Sequence, residues 1–79
     1  MSPTILRYKS YRFFFFSREE IRKHVHVVSS EGEAKFWLEP IVALAEKSGL
    51  SVRQLNEIRK VVERRKDEIG RAWNKHFKS

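Results

Sequence analysis

The stretch Tyr11-Arg12-Phe13-Phe14-Phe15-Phe16 sets four consecutive phenylalanines behind an arginine, and no other run in the chain is as densely apolar. A short aromatic run bounded by Ser10 and Ser17 reads as a β-strand, because flat, bulky side chains pack well on a pleated surface. Its apolar groups fall on both faces, so the strand is expected at the centre of a sheet. The chain offers an amphipathic helical region to cover one face and a basic, polar set of side chains for the other. The second face is where function is sought.

The remaining strands follow from alternation. Ile5-Leu6-Arg7-Tyr8 and Tyr11-Arg12-Phe13-Phe14 form a hairpin through Lys9-Ser10, with Tyr8 facing Tyr11, Leu6 facing Phe13 and Thr4 facing Phe15. Arg7, Arg12, Ile5, Phe14 and Phe16 then share the opposite side. Lys-Ser is a poor match to a turn that wants positive φ, so a slipped register, which would exchange the faces, is the competing arrangement. Residues 17–23 are polar and read as a surface loop with room for one helical turn. A second hairpin joins His24–Ser29 to Glu33–Leu38. A turn at Glu31-Gly32 pairs Ser29 with Ala34, Val27 with Phe36 and Val25 with Leu38, and leaves His24, His26, Val28, Lys35 and Trp37 on the other face.

Pro40 ends that strand. Residues 41–45 suit an edge strand by alternation and a short helix by Pro40 and Gly49, with the balance towards a strand. Ser51-Val52-Arg53-Gln54 is a capping box, and Leu50 with Leu55 completes a hydrophobic staple. From there Leu55, Ile58, Val62, Ile69, Ala72, Trp73 and Phe77 make one helical stripe. The charges at Arg64, Arg65, Lys66 and Asp67, with Gly70 beyond, predict either a bend between two helices or one long helix that leaves the sheet midway. The expected fold is α+β: one domain, with an antiparallel sheet of four to five strands, built from two hairpins, under a C-terminal helical layer.

Seventeen Lys and Arg against 10 Asp and Glu leave a net charge of +7, which favours an anionic partner, nucleic acid or an acidic protein. The absence of cysteine excludes disulfides and thiolate zinc sites. No apolar run is long enough for a membrane span and the first residues do not form a signal segment, so a cytoplasmic location is expected. No glycine-rich phosphate loop, Ser-His-Asp spacing or paired carboxylates are visible, and no cofactor is implied.

The candidate chemistry centres on Lys23-His24-Val25-His26. Two histidines one residue apart on a strand stand side by side on one face. Three uses stay open: two imidazole ligands for a metal, for which a third ligand is missing locally; an acid and base acting on a phosphodiester; or a structural pair on a half-buried face. Around them Lys35, Arg7 and Arg12 can hold phosphate, and Trp37 and Phe14 can stack on a base. Arg64 and Arg65 are further candidates for phosphate contact.

His24-Val25-His26-Val27 and Gly32-Glu33-Ala34-Lys35-Phe36-Trp37-Leu38, with Ser2-Pro3-Thr4-Ile5, the phenylalanine strand, Glu68-Ile69, Ala72-Trp73 and Phe77, resemble a family of small bacterial proteins known as domain of unknown function 4160. The likeness covers nearly the whole chain. Members are often encoded beside another small protein, as in toxin-antitoxin pairs, which implies a cognate protein partner and leaves room for an RNA or DNA target. The family commonly carries two prolines where this chain has Arg22 and Lys23, so the entry to the histidine strand is freer and more basic here.

Two functional expectations result. In the first, the chain is the small basic component of a toxin-antitoxin-like module that binds RNA, with His24 and His26 either as acid and base for metal-independent cleavage or as phosphate contacts, Arg7, Arg12, Lys23, Lys35, Arg64 and Arg65 as backbone contacts, and Trp37 as a stacking platform. In the second it is a non-enzymatic interaction module, an antitoxin, a DNA-binding protein or an inhibitor of a defence system, whose basic face docks an anionic partner. An apolar edge strand would also permit a homodimer.

Overall fold

The computed structural model describes residues 4–16 and 22–77. Five strands, β1 (Thr4–Tyr8), β2 (Tyr11–Phe14), β3 (His24–Ser29), β4 (Gly32–Trp37) and β5 (Ala43–Ser48), form an antiparallel meander in the order β1-β2-β3-β4-β5. Two helices follow, α1 (Val52–Arg64) and α2 (Lys66–His76), giving an α+β fold. The loop expected over residues 17–23 lies largely outside the described residues, and so does its helical turn. β3 rather than the phenylalanine strand occupies the middle of the sheet; β2 is the inner strand beside it.

The first hairpin keeps Tyr8 opposite Tyr11 and Leu6 opposite Phe13, with Lys9 at a positive φ of 54° in the turn. Further back, Ile5 is an extra residue in β1, so Thr4 pairs with Phe14 rather than Phe15. A matching extra residue, Ala45, interrupts β5 between the pairs Lys35–Glu46 and Phe36–Leu44. Both bulges fall on the outermost strands, where an irregular ladder discourages pairing with another chain.

In the second hairpin the turn is Ser30-Glu31, not Glu31-Gly32. Ser29 pairs with Gly32, Val27 with Ala34 and Val25 with Phe36. The slip is two residues, so the alternation of faces along both strands is kept. Gly32 explains the choice. A Cβ there would stand 2.2 Å from the Ser48 carbonyl oxygen and 2.9 Å from Cα of Gly49, itself at φ +82°. Gly32 must therefore lie in the ladder where β5 ends, and is not spent in the turn.

Residues 43–48 are a strand, the favoured of the two readings, although it runs to Ser48. The capping box forms as read: Ser51 Oγ accepts from the Gln54 backbone N–H at 3.1 Å, and Gln54 Oε1 accepts from the Ser51 N–H at 2.8 Å. Leu50 and Leu55 on either side of it are both buried. The helical stripe breaks at Arg65 (φ −104°, ψ 17°), which makes two helices rather than one. α1 buries Leu55, Ile58, Val61 and Val62, and α2 buries Ile69 and Trp73. These join Leu6, Phe13, Phe15, Val25, Val27, Ala34, Phe36 and Leu38 in one core on one side of the sheet. No helix among the described residues is long and apolar enough to cross a membrane.

Candidate nucleic-acid interface

Since side chains alternate along strands, burying Phe13, Val25, Val27, Ala34 and Phe36 under the helices turns their neighbours the other way. Arg12 and Phe14 on β2, His26 and Val28 on β3, and Lys35 and Trp37 on β4 share this second face. The ladder fixes their order: Phe14 lies opposite His26, His26 opposite Lys35, and His24 opposite Trp37. The result is a band of rings crossing the strands. Phe14 stacks on His26 with centroids 5.5 Å apart, Phe16 meets the same imidazole at 4.3 Å, and His24 lies 5.1 Å from His26 and 5.6 Å from Trp37.

Cations are seated over this band. The Arg12 guanidinium lies 4.8 Å from the centre of the Phe14 ring, Arg22 lies 4.3 Å from Trp37, and the Lys35 amine is 4.6 Å from Trp37. Such contacts hold a cation against a ring while leaving its remaining donors directed outward. Arg12 is further tied to Thr4 Oγ1 and Arg22 to the Glu39 carbonyl oxygen at 3.0 Å. Lys35 is the exception in exposure. It is 7% exposed and faces Glu46 at 4.0 Å, so its charge is largely committed within the protein. Beside it a pocket of about 110 Å³ opens between β3, β4 and β5, lined by His26, Glu33, Lys35, Glu46 and Ser48 among others.

The histidine pair is adjacent as its spacing predicts, yet it is not displayed as an acid and base require. His24 is completely buried, with Trp73 of α2 against its ring at 5.2 Å. Its Nδ1 is 2.8 Å from the Arg22 carbonyl oxygen, and since a carbonyl only accepts, Nδ1 carries the proton. His26 is half-buried and its Nε2 is shielded from solvent. A phosphodiester approaching the sheet meets no exposed surface of His24, whose surroundings are those of a packed aromatic. Among the described residues no group of three or more His, Cys, Asp or Glu side chains is gathered as a metal site would require.

The other sequence candidates divide. Arg7 pairs with Arg12 across the ladder and extends the basic face to the β1 edge. Lys23 stands at the end of the sheet, in a cleft facing α2. Arg64 and Arg65 lie at the helix junction, outside the group gathered on the sheet, and Arg65 is engaged with Glu68 at 2.6 Å. That hydrogen bond, with the attraction between the charges, raises the Arg65 pKa, and the same bond lowers that of Glu68. Arg22 was missed. It was legible as the residue two before His24, and so as a neighbour of the His24–Trp37 pair.

A five-stranded antiparallel sheet followed by two helices makes this a small α+β fold, with a band of rings and cations on the face away from the core. Residues 10–74 match the family described as Domain of unknown function (DUF4160), and the chain belongs to that family. No curated protein and no solved structure matches it.

Proposed function

We propose that this protein binds single-stranded RNA on the open face of its sheet, as the small basic component of a toxin-antitoxin-like pair. The observation that carries this reading is the band of rings Phe14, Phe16 and Trp37 with guanidinium groups seated over Phe14 and Trp37. Bases stack on such rings at about 1–3 kcal/mol each, without regard to sequence, while the cations meet the backbone. A duplex cannot use this surface, because its bases are already stacked on one another. In this reading His26 belongs to the stacking surface and His24 supports it from beneath, so the protein binds RNA without cutting it.

The test is titration of a labelled oligoribonucleotide by fluorescence anisotropy, with the same RNA run on a gel after incubation. Saturable binding that weakens on Trp37→Ala, with the RNA intact, is the expected result. Cleavage that disappears in His26→Gln would restore the acid-base reading. Failure to bind any single strand at low salt would remove RNA from the account.

A second reading, docking of a partner protein, is favoured by the β5 side of the molecule, where Ile41 and Val52 are 68% and 69% exposed and Leu44 is 40% exposed. A cognate partner that covers these residues would slow hydrogen exchange at their amides and leave the exchange of Trp37 unchanged.

A further inference from the structure

A second polar depression lies around the end of the sheet from the aromatic band. It is a cleft of about 490 Å³ between the turn at Glu39-Pro40 and α2, and Lys23, Lys66, Arg71 and Asn74 contribute to its walls. None of these four side chains makes a hydrogen bond or ion pair with another described residue. Two carboxylates, Glu39 and Asp67, also line it, leaving three cations against two anions. Its wall continues directly into the open face. Glu39 and Pro40 border both this cleft and the shallower depression beside Arg22, and Arg22 is the cation over Trp37.

Gly70 adds an independent observation. It sits inside α2, where glycine costs up to about 1 kcal/mol relative to alanine, and it lines the cleft. Nothing lies within 4 Å of the place its Cβ would occupy, and its φ is not positive. Neither packing nor backbone conformation therefore calls for glycine. What its missing side chain provides is open space at the cleft and close access to the helix backbone.

We infer that this cleft is a backbone subsite for the same RNA strand, taking its phosphodiesters as the strand leaves Trp37, turns past Arg22 and Pro40, and runs along α2. The inference rests on the sheet-face reading and gives it a direction and a length. A strand long enough to reach α2 gains contacts with Lys23, Lys66 and Arg71, and a short strand occupies the aromatic band alone.

The test compares oligouridylates of about 4 and about 12 nucleotides, spanning the site sizes of small single-strand binders. Each is titrated over a range of salt with wild type, Gly70→Ala and the triple variant Lys23→Ala/Lys66→Ala/Arg71→Ala. Each backbone contact to a single strand adds about 0.7 to the slope of log affinity against log salt, so the triple variant should lose about 2 with the long strand and almost nothing with the short one. Gly70→Ala should raise Tm by about 4 °C and yet bind the long strand more weakly, a combination that damage to the fold cannot produce. Equal slopes for wild type and the triple variant, or equal affinity of Gly70→Ala for the long strand, would overturn the subsite and leave the sheet-face reading standing. Failure of wild type to bind either oligomer would overturn both.

Discussion

The two faces of the sheet are built from the same strands, often from adjacent residues, and have opposite characters. Phe13 is fully buried against the helical side while Phe14, the next residue, stacks on His26 across an open surface. Val25 and Val27 are equally buried, and His26 between them is only half covered. The helical side is closed by apolar surface from Ile58, Val61, Val62 and Ile69, which removes water and gives the fold its stability. On the open side rings and cations satisfy one another, at a smaller gain, and remain available to a ligand. The difference teaches that aromatic content alone does not mark a core; what matters is which layer covers the ring.

That contrast can be broken most directly by truncation on each side. Phe13→Ala should cost about 3–5 kcal/mol of stability, read from the denaturant midpoint, since it removes a fully buried ring and leaves a cavity. Trp37→Ala should reverse the pattern, weakening RNA binding by about 1–3 kcal/mol while moving the unfolding free energy by about 1 kcal/mol or less. Equal effects of the two variants on stability would mean the open face is a second core. Ser51→Ala sharpens the view of the helical side. Losing the cap exposes an unsatisfied helix-terminal N–H and should cost about 1 kcal/mol, with RNA affinity unchanged.

The smallest effect expected is electrostatic. Lys9 and Tyr8 both donate to the Glu57 carboxylate, Tyr8 at 2.9 Å, and these hydrogen bonds, that from Lys9 first, hold Glu57 below its ordinary value of 4.5. The reciprocal bond raises Lys9. A carboxylate depressed in the fold stabilises it above the ordinary value, and the contribution fades as pH falls through the lower, folded value. Glu57→Gln should therefore flatten the loss of stability between about pH 5 and the acid limit, measured by thermal melts across that range. The group is solvent-exposed and the change should be slight.

Much of this was legible in the sequence because it is local. Alternation assigned Phe13, Val25, Val27 and Phe36 to one face and Phe14, His26, Lys35 and Trp37 to the other, and the capping box placed the start of α1. The two-residue slip in the second hairpin was not legible, since the turn is positioned by Gly49 closing on Gly32 from β5, a contact between residues far apart in the chain. The same holds for Thr4, displaced by a bulge at Ile5 that alternation does not register.

By itself the sequence determined the first four strands, the start of α1 and the two characters of the sheet, because side-chain period and capping act over a few residues. Only the tertiary structure decided that His24 is sealed beneath Trp73, that Arg22 seats itself over Trp37, and that Gly70 opens onto a cleft. Each depends on where the bend at Arg65 sends α2, or on how β4 comes back beside the start of β3. Such approaches are set by how layers of the core fit together, and no window along the chain contains them.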